Sequence, residues 1–238
     1  GSDHQMPDHC DHCGERNITI EQFLEPAGFR VDWNAQPHAD TDQAMYIEPK
    51  TPKVSVGDAL WQPLLQPESG RIRASHEGYI YHHSRGPNDK GYEICLECGR
   101  AGDAGTDALN DHRPLTPRDK KAIDRCPGND EGYAITGALA LGHEVLTDVV
   151  EVQLPGLESD GAAWALGAAL RESLARWLGI EPRELGISVA ARDSKLGRRA
   201  PSVYLFDKAS GGAGYAPRLL DDIYHVFDRA ARVLDCPK

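Results

Sequence analysis

A mixed α+β fold is expected for this chain, with a β-rich first half and a strand–helix–strand–strand–helix second half packed as one unit. Three stretches carry that expectation. His143 to Leu154, HEVLTDVVEVQL, alternates apolar and polar residues as a long strand does. Ala162 to Leu178 sets Trp164, Leu166, Ala169, Leu170, Leu174, Trp177 and Leu178 on or near one helical face. Val203-Tyr204-Leu205-Phe206 is a continuous apolar run, β-branched and aromatic enough for a buried strand. It breaks at Asp207 into Gly211, Gly212 and Gly214, and a helical pattern resumes after Pro217.

The bulk composition bounds what such a fold can do. With 238 residues, 40% hydrophobic and 26% charged, the chain can bury a sizeable core. The net charge of −11 repels a phosphate backbone, which excludes a general nucleic-acid clamp and leaves room only for local contacts. No apolar run approaches the roughly 20 residues of a membrane span, so no membrane partner is expected. There is no signal peptide, which points to the cytoplasm, and Gly1-Ser2 reads as a cloning remnant on a piece of a longer protein.

In chain order, residues 1–22 hold the remnant and a knuckle, Cys10-Asp11-His12-Cys13-Gly14. Residues 23–130 form a β-rich part. It opens with two short extended pieces around the Pro26-Ala27-Gly28 break, followed by a polar loop. Val54 to Leu65 starts as a strand and turns at Gly57-Asp58. Arg71 to Tyr81 reads as a hairpin with Glu77-Gly78 at or near its turn, and Tyr92 to Ile94 as a short strand. Residues 131–238 form the α/β part. Here Asp160 is the candidate N-cap of the first helix, and Gly179 closes it. Leu185 to Ala190 is a strand and Lys195 to Arg199 a basic loop. The last helix spans about Arg218 to Leu234, with Leu219, Leu220, Ile223, Val226, Phe227, Ala230 and Val233 inward.

Six cysteines, two pairs of them CxxC followed by glycine, point to metal ligation in a chain without a secretion signal. Cys95, Cys98, His112 and Cys126 form a CxxC-x13-H-x13-C pattern. Three thiolates and an imidazole suit a closed, structural zinc tetrahedron. Between them lie residues 100–130, charged and nearly without apolar periodicity, which packing alone would not order and a metal could. His112 also reads as a solvated loop histidine. A second solution joins Cys10 and Cys13 to Cys95 and Cys98, and a third gives Cys10 and Cys13 partners upstream. His82 and His83 point to opposite faces of an extended strand and receive no metal role.

Catalytic chemistry is poorly served. There is no HExxH, no P-loop lysine and no nucleophile constellation. Asp148, Glu151 and Asp207 could in principle form a magnesium-dependent nuclease centre, although an acid on a solvent-facing strand and an acid at a strand end explain them as well. The glycine loop is first a structural joint. Arg198 and Arg199, with the N–H groups of Gly211, Gly212 and Gly214, are the candidates for a few phosphate or DNA contacts.

The runs YEICLECGRA, HRPL, CPG, LGHEVLTDVVEVQL and VYLFDKASGGAGYA, in that order from about Phe23 onward, resemble the MrfA-like zinc-binding domain family. Gly142-His143-Glu144 with Thr147-Asp148, and Asp207 to Tyr215, carry the resemblance most specifically. It implies a non-catalytic, zinc-binding accessory domain of a helicase machine. Its partners would be a helicase motor domain or subunit, with DNA reached through the parent complex. The setting would be DNA repair or anti-phage defence of the DISARM or Druantia type. In that family the last helix leads into a cysteine cluster, of which Cys236 would be the first member here. A nucleotide-binding α/β domain using Gly211 to Tyr215 is the remaining alternative.

Overall fold

The computed structural model describes residues 21–28, 50–66, 68–114, 125–130, 135–193 and 199–235, with the side chains of 191–193 and 199–200 set aside. The fold is mixed α+β. In chain order the strands are β1 (Phe23–Leu24), β2 (Lys53–Ser55), β3 (Gln62–Pro63), β4 (Arg71–Ser84), β5 (Tyr92–Cys95), β6 (Ala101–Asp103), β7 (Ile135–Gln153), β8 (Leu185–Asp193) and β9 (Arg199–Asp207). The two α-helices are α1 (Asp160–Leu178) and α2 (Ile223–Leu234). Contacts divide the chain into two compact units, neither of them a single cut of the sequence. The described residues of the first fall within 51–81 and 144–235; those of the second are 21–28, 50 and those within 82–143.

In the first unit β2 and β3 pair with β4, β4 neighbours β7, and β7 continues through β9 to β8. The β7–β9 and β8–β9 ladders are antiparallel, with Val150 opposite Leu205 and Ile187 opposite Leu205 from the other side. One sheet face buries Ile72, Val150, Val152, Val203 and Leu205 against Leu166, Leu170 and Leu174 of α1 and Val226 and Ala230 of α2. The other face buries Val149, Tyr204 and Phe206 under Val54, Val56 and Ile80. Both faces are therefore covered, and residues 147–153 of β7 are buried without a break. Asp148 and Glu151, read from the sequence as solvent-facing, are 4% and 0% exposed. Their alternation with apolar neighbours reflects two buried faces of different polarity.

Three local readings are corrected by the structure. Arg71 to Tyr81 is no hairpin: β4 runs straight through Gly78 for 14 residues. A Cβ at Gly78 would fall against the Val149 side chain, so this glycine permits close packing within a strand. The N-cap of α1 is Ser159, whose hydroxyl accepts from the Ala162 N–H at 3.1 Å. Asp160 instead stands in the first turn, where its charge suits the helix dipole. The last helix begins at Ile223: Ala216–Asp222 is a 3-10 turn that accommodates Pro217, and the Asp222 carboxylate then caps α2 at the His225 N–H.

The second unit is built on a small ladder. β5 pairs antiparallel with β6, Glu93 opposite Gly102, and with the first half of β7, with a register shift between Tyr92 and Ile94. β1 lies parallel to β7, Phe23 beside Ala140. His82 stacks on His143 with ring centroids 5.0 Å apart.

Candidate metal centre

The second unit brings Cys95, Cys98, His112 and Cys126 together, with their ligand atoms all within 4.8 Å of one another. β5 delivers Cys95 at its last residue, and the chain reverses there. The Gly99 N–H returns to the Cys95 carbonyl at 2.8 Å, and the Cys95 N–H donates to the Arg100 carbonyl at 3.0 Å. Gly99 takes a positive φ of 74°, the conformation that lets so short a reversal close. Two further segments meet this knuckle. The Cys126 N–H donates to the His112 carbonyl at 2.9 Å, and the Asn129 side-chain amide donates to the same oxygen at 3.0 Å. The Arg100 guanidinium donates to the Arg113 carbonyl at 2.8 Å.

The geometry suits zinc. Cys95 and Cys126 sulfurs stand 3.8 Å apart, the edge expected of a tetrahedron with Zn–S bonds of about 2.3 Å. Cys98 Sγ is 3.3 Å from His112 Nε2. His112 Nδ1 lies 2.8 Å from the Leu109 carbonyl, which only accepts, so Nδ1 carries the proton and Nε2 keeps its lone pair for the site. Cys95, Cys126 and His112 are 0%, 1% and 6% exposed.

Without a cation the thiols disturb one another. Burial pushes the Cys98 thiol up to about 12, with the adjacent Cys126 and Cys95 adding to the rise against the Arg100 N–H. Cys95 is also pushed up by burial, but the backbone N–H groups of Cys98 and Glu97 and the neighbouring thiols outweigh that and hold it below its ordinary value. Cys95 thus gives up its proton more readily than Cys98. A divalent cation displaces those protons, and its binding must weaken as pH falls.

The other sequence candidates fare differently. Cys10, Cys13, Cys236 and Arg198 lie outside the described residues, as does the Arg199 side chain. The N–H groups of the glycine loop are taken up within the protein. Asp207, 1% exposed, accepts from Ala213, Tyr215 and Ala216 at 2.7–2.9 Å. Asp148 accepts from Gly214 at 2.7 Å and holds His76 Nδ1 at 2.5 Å. Gly211 and Gly212 donate to the carbonyls of Leu146 and Ala209. Protein carboxylates therefore occupy the place a phosphate would take. Burial pushes Asp207 above the usual carboxylate range, the three N–H donors oppose that, and Asp148 reinforces it.

Gly212 has a φ of +78°, and a Cβ there would fall on the Asp148 carboxylate. Gly212→Ala is expected to destabilise the first unit by about 2 kcal/mol or more, through the left-handed backbone and the displaced carboxylate together. Urea unfolding checks this, and a loss below about 0.5 kcal/mol would refute the pinned-loop account.

The nuclease grouping is not assembled. Glu151 faces Arg73 and Tyr204 on one side of the sheet, whereas Asp148 faces His76 and the glycine loop. The cysteine–histidine set is the one group of three or more potential ligands found among the described residues. The sequence reading missed Arg73 and Trp61. The Arg71 and Arg73 guanidiniums lie 4.1 and 4.5 Å from the Trp61 ring. Arginines at alternate positions opposite a strand carrying an acid were the available signal.

Fold and site define a mixed α+β domain stapled by a cysteine–histidine metal centre. Residues 166–238 match the family model of the MrfA Zn-binding domain, the same family that the sequence motifs resemble. The match begins within α1, so the four clustered ligands lie outside it. A crystal structure described as the DUF1998 helicase MrfA bound to DNA is similar at 8% identity and a TM-score of 0.47, covering 81% of this chain and 21% of that one. This chain thus spans about a fifth of that helicase. No curated protein matches. No described helix is long and apolar enough to cross a membrane.

Proposed function

We propose that the chain is a zinc-bearing, non-catalytic module of a helicase-type DNA machine, in which it positions DNA or docks a partner subunit. The observation that carries this is the convergence of Cys95, Cys98, His112 and Cys126 on one small, buried volume. Four protein ligands close a tetrahedron and leave no position for substrate, so the ion's work is structural. The family match over residues 166–238 supports the helicase setting, and DNA repair or phage defence is the context the motifs imply. On this reading 23–130 is the zinc-bearing part and 131–238 the glycine-loop part, working in the cytoplasm beside a motor that supplies the ATPase. The net charge of −11 favours protein docking over a broad DNA grip.

Elemental analysis of the purified chain is expected to give one zinc at this site, lost on acidification. The same protein is expected to show no ATP turnover. A metal-free preparation with native spectra, or ATP hydrolysis that persists through a second purification, would contradict the proposal.

A further inference from the structure

A cleft of about 610 Å³ opens beside α1 in the first unit. Trp164, Ala168 and Arg171 line it from α1, at the four- and three-residue spacings that put side chains on one helix face. Gly186 and Ile187 of β8, Phe206 of β9 and Lys208 just beyond it complete the wall. A Cβ at Gly186 would fall on the Phe206 ring, so the bare backbone there lets the ring close the cleft.

Two features show what the cleft would take. The charged residues lining it are the cations Arg171 and Lys208, in a chain whose net charge is −11. Arg171 Nε is buried and has no hydrogen-bond partner among the described residues. That nitrogen is closed to solvent, so a ligand in the cleft would meet the rest of a guanidinium that is not held by a bond from Nε. The rest of the lining is apolar, and Trp164 keeps 39% of its surface exposed. A bare anion would satisfy the cations and leave the indole and the methyl groups unused; the volume suits a larger ligand.

We propose that this cleft binds a nucleotide unit, with the base against Trp164 and the phosphate between Arg171 and Lys208. Stacking on an aromatic face beside cations is how single strands are held without sequence preference. The source is either a free nucleotide or an unstacked nucleotide of a strand; in the second case the inference rests on the DNA-positioning part of the proposed function. It is independent of the zinc centre, which lies in the other unit.

The test uses the full chain at low salt, a fluorescently labelled ten-residue oligothymidylate read by anisotropy, and thymidine monophosphate as competitor. Wild type is expected to bind the oligonucleotide. Trp164→Ala should weaken binding roughly tenfold, the size of a lost base stack, and Arg171→Gln should weaken it severalfold through the lost phosphate contact. Lys208→Gln, at an exposed position, should weaken it severalfold and flatten its salt dependence. Circular dichroism confirms that each variant is folded. Displacement by the monophosphate assigns a free nucleotide as source; binding of the oligonucleotide alone assigns a strand. Oligonucleotide binding unaffected by all three substitutions overturns the cleft while leaving DNA positioning intact. Failure of wild type to bind either probe overturns both, and the zinc content stands apart from each outcome.

Discussion

Cys98→Ser, or removal of zinc by a strong chelator, is expected to unfold the segment from Cys95 to Asp130 while the first unit stays folded. The asymmetry follows from where the apolar cores lie. Both clusters of buried apolar residues are made of first-unit residues, such as Leu170, Leu174 and Val203 in one and Val149, Tyr204 and Phe206 in the other. In the second unit the buried apolar side chains among the described residues are few, Leu109 and Leu139 among them. Short 3-10 turns at Asp107–Leu109 and Pro127–Asn129 and the three-residue β6 cannot hold that segment by themselves. A structural zinc contributes on the order of 10 kcal/mol of apparent binding free energy, more than the whole stability of many domains. Hydrogen exchange should show protection lost from β5 through residue 130 and kept in β7 beyond Val149, β8 and β9. His112→Ala should weaken zinc binding less than Cys98→Ser, because three thiolates remain. Unchanged exchange and full zinc content in Cys98→Ser would refute the assigned ligand set.

What the sequence made legible follows from the range of the interactions concerned. The strands at 143–154 and 203–206, α1 and its Gly179 cap are set by local periodicity and capping; the structure has each of them, with the first strand starting earlier, at Ile135, and the second spanning Arg199–Asp207. The metal ligands were legible because zinc requires particular side chains at reversals, and CxxC followed by glycine encodes one such reversal in five residues. Glycine was the ambiguous signal. Gly78 reads as a turn from its neighbours, yet its lack of a side chain serves Val149, 71 positions further along the chain. Likewise Asp148 reads as a solvent-facing acid and Asp207 as an acid at a strand end, because the donors that fill them, the N–H groups of Ala213 to Ala216, become visible only once the loop has folded back. The Arg73–Glu151 pair is separated by 78 residues, so the alternate arginines and the strand acid become a pair only once the strands are known to be neighbours.

That pair carries the second large effect. Glu151 is fully buried between strands and Arg73 is 7% exposed. The Arg73 guanidinium reaches Glu151 through Nε at 2.7 Å and through a terminal nitrogen at 2.5 Å, and the Tyr204 hydroxyl donates to the other carboxylate oxygen at 2.9 Å. Arg73→Met keeps most of the volume that packs beside Trp61 and removes the charge. It removes the paired cation from a buried carboxylate that keeps the Tyr204 hydroxyl and the nearby charge of Arg71, and breaking a buried pair in this way is expected to cost about 3 kcal/mol. Arg73→Met combined with Glu151→Leu removes both charges and is expected to recover much of that loss, since a buried ion pair contributes little over an apolar pair of similar size. Tyr204→Phe in the same background should then cost less than it does in the wild type, because the Glu151 acceptor is gone. Urea unfolding of the two single variants and the double variant closes the cycle, with a coupling of about 2 kcal/mol or more expected between these touching residues. A double variant as unstable as the two single losses added together would show that Arg73 and Glu151 act independently.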